Sequence, residues 1–257
     1  MGRTEVDPGE LRALLSVEAT YGTLPGGSEI DPDAPRPPVG FRARLPGSWR
    51  TVDLDPATSR GWVRSHVRER VGAAPELARH QRRMGRALGD FLDDWRAQGM
   101  FLLRLLPAER LDQPEDLVGA SLALAWRQLA GNGQVDVDGL VRALASTPAA
   151  PGERADDRVV SVVELSGGPA AYLHTSQLIG TPGRADRWRR TVLSQFLVPV
   201  PGLPWLGVVT AASADPELAD GVATIADGVA SSLELLPPSG QRGASTAPRR
   251  AGAERAG

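Results

Sequence analysis

The sequence predicts an α+β fold: a mostly antiparallel β-sheet flanked by helices, with a long helical insertion after the first hairpin. Three observations predict it. Strand-like runs separated by Gly/Pro turns fill most of the second half of the chain. One helical pattern occupies residues 58–98 with a single break. The chain then closes on a strand, a turn and an amphipathic helix in "WLGVVTAASADPELADGVATIADGVASSLEL". Runs of strands with helices inserted between them, rather than strict alternation, place the chain in the α+β class.

The elements follow in order. Residues 8–21 read as a short amphipathic helix carrying Leu11, Leu14, Leu15 and Val17, and residues 24–38, "LPGGSEIDPDAPRPP", as a linker. Together, residues 1–38 form an N-terminal appendage. "FRARLPGSWRTVDL" reads as a hairpin of residues 41–45 and 49–54 turned at Pro46-Gly47-Ser48, with Phe41, Ala43 and Leu45 alternating with Arg42 and Arg44. Asp55 then caps a helix with Pro56 at its first position, where proline presets helical φ. The helical pattern breaks at "VGAAPE" and restarts at Pro75.

"MFLLRLLP" (residues 100–107) is a nearly continuous apolar run, suited to a strand covered on both faces. "LVGASLALAWRQLA" reads as a second strand turned at Asn132-Gly133, although its Leu and Ala content also suits a helix. "VDVDGLVRALAS" is a short helix begun by Asp136 or Asp138. "RVVSVVEL" and "AAYLHTSQL" form a hairpin through residues 166–169. The last two strands are residues 187–200 and 205–212. Asp215-Pro216-Glu217 opens a final helix with an apolar stripe of Leu218, Val222, Ile225, Val229 and Leu233. Residues 39–236 therefore form one domain. Residues 237–257 hold almost no large apolar side chain and read as a disordered tail.

Composition bounds the function. The chain has 257 residues with formal net charge −2, 41% hydrophobic and 23% charged, which is ordinary for a globular protein. No global basic field points to nucleic acid. All 29 basic residues are arginine, which reads as GC-rich coding, as in actinobacteria. The absence of cysteine excludes disulfides, thiolate nucleophiles and zinc-thiolate sites. Acidic residues stand where a leader needs an apolar core, and no run approaches the ~20 apolar residues of a membrane helix. The expectation is a cytoplasmic chain without membrane insertion.

The opening segment ending "GSWRTVDLDP" and the closing "VPVPGLPWLGVVTAASADPELADGVATIADGVASSLEL" resemble actinobacterial proteins of the PsbP-like α/β sandwich type. The likeness covers the hairpin and the last quarter of the domain, and rests on element order rather than functional residues. The helical insertion departs from compact members, and no lipobox cysteine is present. The resemblance implies a binding or assembly module, and it suggests an accessory setting beside secretion or envelope machinery.

Chemistry is sparse. His66, His80 and His174 share no metal-ligand spacing, and no metal or cofactor is expected. Trp62, His66 and Glu69 share one helix face, where a carboxylate could orient an imidazole; a commonplace surface pair fits the same spacing. "ELSGGP" lacks the order of a nucleophile elbow, and no phosphate-binding loop occurs. These absences argue against an enzyme. On "PELARHQRRMGRALGDFLDDW", Leu77, Met84, Leu88, Phe91, Leu92 and Trp95 fall on one face, and Arg79, Arg82, Arg83 and Arg86 fall opposite. Arginines early and aspartates late oppose the helix dipole, so the helix gains little from this order beyond an Arg86–Asp90 pairing. Either this is a solvated face, or it docks an acidic partner. A second candidate surface is Arg187, Trp188 and Arg189, where arginine flanks tryptophan. The primary reading is a non-catalytic module that binds another protein. The alternative is a small-ligand binder or enzyme whose site gathers distant residues such as His174, Arg104, Trp126 and Arg189.

Overall fold

The computed structural model describes residues 17–20, 39–97, 99–107, 118–129, 135–148, 157–181 and 184–236. The fold is α+β. Its centre is a seven-stranded antiparallel sheet of β3 (Arg50–Thr51), β4 (Met100–Pro107), β5 (Val118–Gln128), β6 (Val159–Leu165), β7 (Gly168–Thr181), β8 (Arg184–Pro199) and β9 (Trp205–Ser213). The strands run in the order β3-β4-β5-β9-β8-β7-β6. A second sheet places β2 (Gly40–Leu45) between β1 (Val17–Thr20) and β10 (Glu234–Leu236).

The large sheet separates two apolar cores. On one face, Phe41, Ala43 and Leu45 of β2 and Val222, Ala226, Val229 and Ala230 of α4 (Ala219–Ser231) pack on Leu122, Leu124, Trp126, Phe196, Val209 and Ala211. On the other, α1 (Ser59–Ala73) and α2 (Gln81–Ala97) press Val63, Val67, Met84, Leu88 and Leu92 onto Leu103, Leu105, Ala123, Ala125 and Val208. A third helix on that face, α3 (Val137–Ser146), lies against β6 and β7. The molecule is thus a three-layer sandwich.

This layering explains why the apolar strands read as they do. β5 is buried along nearly its whole length because helices cover one face and the small sheet the other. Ala123 and Ala125 meet the helical layer, and Ala120, Leu122, Leu124 and Trp126 meet the other core. The Leu/Ala content that suits a helix in isolation is overridden by this two-sided burial.

Two local expectations are corrected. The predicted hairpin at residues 41–54 is a corner between sheets: β2 pairs with β1 and β10, whereas β3 pairs with β4. The alternation of Phe41, Ala43 and Leu45 against Arg42 and Arg44 holds, with the first three fully buried. Alternation reports a half-buried strand, but it does not say which strand is its neighbour. Val17–Thr20 is a strand joined to β2 rather than the end of a helix. The remainder of that predicted helix, the linker 24–38, the Asn132-Gly133 turn and the tail 237–257 lie outside the described residues.

The expected Asp caps are corrected: the N-cap positions are Thr58 and Leu218, neither with a side-chain cap bond, and the two Asp-Pro pairs form turns ahead of the helices. Asp55 Oδ1 accepts from Ala57 N at 2.8 Å, and Asp215 Oδ1 accepts from Glu217 N at 2.9 Å. Each closes a tight turn just before its helix, which begins at Ser59 or, after the 3-10 turn Pro216–Leu218, at Ala219. Asp136 caps α3 through Asp138 N. The break near Pro75 is a 3-10 turn, Pro75–His80, between α1 and α2. Among the described residues no helix is long and apolar enough to cross a membrane.

Candidate functional site

The helical insertion is rich in arginine. Its amphipathic pattern forces the apolar stripe onto the sheet and leaves the arginines outward. Arg79, Arg82 and Arg86 are exposed, and Arg83 is half-buried. Arg79 Nε lies 3.0 Å from His80 Nε2. The expected Arg86–Asp90 pair does not form; Asp93 pairs instead with Arg96 at 2.5 Å. Arg96 also donates to Leu54 O and Ser59 Oγ, tying the end of α2 to the start of α1.

Sequence reasoning missed the other half of this surface. Arg60, Arg64 and Arg68 recur every four residues along α1, and all three are exposed. That i, i+4 recurrence was visible in "SRGWVRSHVRERVGA". Residues 59–86 contain eight arginines and two glutamates, an excess of six positive charges in a chain of net charge −2. The excess is larger than it looks, because Glu69 is engaged by Arg50 of β3 in a two-pronged ion pair, its second contact at 2.6 Å. That hydrogen bond holds the Glu69 carboxyl below its ordinary range.

Glu69 therefore does not orient His66. The His66 ring stacks on Trp62 with centroids 5.0 Å apart and planes 9° from parallel, and Trp62 Nε1 donates to Thr51 O. His66 is only 4% exposed, and its Nε2 has no hydrogen-bond partner. Burial lowers its pKa first, and the Arg50 and Arg70 charges lower it further. It is a buried imidazole stacked on Trp62, with no base–orienter pair around it.

Of the distant residues named for a ligand site, the described ones, Arg104, Trp126 and His174, do not converge. Arg104, Leu122, Ala211, Ser194 and His174 occupy one row across the sheet, on neighbouring strands β4, β5, β9, β8 and β7. Four inter-strand steps separate Arg104 from His174 by about 19 Å. Leu122, Ala211 and Ser194 fill the space between them and are buried. Arg104 is 4% exposed and donates to Trp49 O at the corner between the sheets; burial lowers its pKa. Its Nε and Nη1 have no partner. His174 Nδ1 lies 2.9 Å from Ser194 Oγ, and burial lowers its pKa against the opposing pull of Asp220 and Asp157. That serine is fully buried, so the pair does not present a nucleophile.

Trp126 lies elsewhere, in the aromatic cluster with Phe41 and Phe101. It covers Gly207, where a Cβ would meet its ring at 3.2 Å. The narrow crevice beside it is lined by apolar side chains, among them Phe101, Leu124, Val209 and Leu233, with no charged group. Arg187, Trp188 and Arg189 sit on β8, where Trp188 pairs with Gly180 and Arg189 with Ile179. Their side chains lie outside the described part of the structure. Among the described residues, no three His, Asp or Glu side chains gather where they could hold a metal ion.

No protein-family model matches the chain, and a comparison with curated proteins finds no match. Among solved structures the chain is similar to LpqN, involved in cell envelope biogenesis of Mycobacterium tuberculosis, at 12% identity over 86% of this chain and 91% of that one, with a TM-score of 0.42. At that distance the likeness carries no function across.

Proposed function

We propose that this protein is a non-catalytic binding or assembly module, and that its α1–α2 layer docks an acidic surface of another protein. The observation that carries this reading is the excess of six positive charges over residues 59–86 of a chain that is net negative. Arg60, Arg64, Arg68, Arg79, Arg82 and Arg86 are all exposed there. Arginine suits the role because its planar guanidinium forks onto carboxylates. The filled sheet interior favours recognition on the surface over a ligand enclosed between layers. The second surface, Arg187-Trp188-Arg189, is a further contact of the same chemistry. A setting beside secretion or envelope machinery rests on the sequence resemblance alone.

The test places a photo-crosslinking residue at position 64 or 82 and identifies what is captured in cells. The captured protein is then titrated with the purified parent and with a variant in which Arg60, Arg64, Arg68, Arg82 and Arg86 are glutamine. Weaker binding by the variant, mimicked for the parent by raised salt, supports the reading, because exposed charges are screened beyond ~8–10 Å. Capture of nucleic acid in place of protein overturns it. So does a folded variant that binds every captured protein with parental affinity.

A further inference from the structure

We infer that β6 is a self-complementary edge through which two copies of this chain join their large sheets into one. β6 ends the seven-stranded sheet, and no described strand pairs with its outer side. An open edge offers unpaired backbone donors and acceptors, and proteins normally blunt it with charge, proline or cover. β6 is seven residues long and carries the two large apolar side chains that remain exposed among the described residues, Val159 at 49% and Val162 at 41%. They point to opposite faces, so neither side of the strand is sealed.

The register shows which groups are free. β6 and β7 are closed by Leu165 opposite Gly168, with Glu164 opposite Pro169. Proline has no N–H, so Glu164–Pro169 is a pair without ladder bonds, and the bonded pairs alternate with it. Val159, Ser161, Val163 and Leu165 thus bond to β7. The N–H and C=O groups of Val160, Val162 and Glu164 point outward.

The segment "RVVSVVE" is close to a palindrome in chemical type. Antiparallel pairing centred on Ser161 sets Val160 opposite Val162 of the second copy, Val159 opposite Val163, and Arg158 opposite Glu164. The outward groups of Val160 and Val162 then meet each other, as the ladder requires. Arg158 and Glu164 lie on the same sheet face, with opposite charges brought together twice by the two-fold axis. Parallel pairing in the same register would instead set like beside like.

The helix next to this edge has spare apolar surface. α3 rests on β6 and β7, yet none of its residues is fully buried, and Val137, Leu140, Val141 and Leu144 stay half-open. Arg158 ties the C-terminal end of α3 to the edge by donating to Leu144 O and Thr147 O. Two copies joined at β6 bring their α3 helices side by side on one face. A single strand pair falls short of the ~1,000 Å² that a stable interface needs, and the two helices extend the contact.

Sedimentation of the full chain at micromolar concentration should give twice the 27.2 kDa mass of one copy. Val162→Pro removes an outward N–H without touching the β6–β7 ladder, so it should melt near the parent and sediment as a monomer. Glu164→Arg sets arginine opposite arginine and should weaken the dimer by about tenfold, since the axis counts each contact twice. Amide exchange at Val160 and Val162 should slow as concentration rises. A parent chain that stays monomeric, or a dimer indifferent to both substitutions with fast exchange at those amides, overturns the inference. Recovery of a monomer whose edge is occupied by a strand of another protein overturns it in the same way.

Discussion

Individual side chains sort by depth along their helix stripes. Trp95 and Ile225 stand centrally on the apolar stripes, but both are half-buried, whereas Met84, Leu88, Leu92, Val222 and Val229 are sealed. Leu88→Ala should therefore cost about 2–5 kcal/mol, read from denaturant midpoints, and Trp95→Ala and Ile225→Ala less than that. An equal loss at all three would mean that depth does not govern these stripes. The two buried imidazoles add a pH dependence. Burial holds His66 and His174 below the ordinary value of about 6.5. The unfolded chain therefore binds protons first as pH falls, so stability is full above that value and declines below it. His66→Phe keeps the stacking on Trp62 and removes one titrating group. Its melting temperature should fall less steeply between pH 7 and pH 5 than that of the parent. Equal slopes would show that His66 charges freely in the folded protein.

At the scale of elements, the junctions are more exacting than the helices. α2 turns into β4 through Gly99, whose φ is +69° and where a Cβ would meet Arg127 Nη1 at 2.9 Å. Gly99→Ala should destabilise by about 1 kcal/mol or more, because both the backbone and the neighbouring guanidinium must shift. A melting temperature at or above the parent's would show that the turn relaxes without strain. The outer face of the same helical layer should behave oppositely. Replacing Arg82 and Arg86 with glutamine should leave folding within about 0.5 kcal/mol, because exposed charges contribute little there. Its effect belongs to association, which is why the five-site variant discriminates between a solvated face and a docking face.

For the whole molecule, the small sheet matters more than the composition of its flanks suggests. β1 pairs with β2 over Val17–Thr20, and β2 supplies three fully buried side chains to one core. A chain lacking residues 1–38 should still melt cooperatively, because β10 and α4 also hold β2 in place. It should melt lower than the parent, because β2 loses a strand neighbour. Removal of residues 237–257 should leave the melting temperature unchanged. Calorimetry on both truncations checks this. A noncooperative transition in the first would make β1 indispensable to the core.

The sequence by itself determined the class of the fold, because periodicity is a local property. The alternation at Phe41–Leu45, the Asp-Pro turns at Asp55 and Asp215, and the stripe through Val222 and Val229 each follow from residues a few positions apart. It determined the arginine face of α2 for the same reason, and the stripe on α1 was equally local though not read. Partnership between strands is a different matter. That β2 turns away from β3 into a second sheet, and that β1 joins it, depends on contacts tens of residues apart along the chain. Only the tertiary structure decided that Glu69 binds Arg50 and leaves His66 alone, and that Leu122, Ala211 and Ser194 separate Arg104 from His174. Local pattern states which way a side chain faces; what it meets there is set by the packing of layers, and no short window of sequence contains both partners.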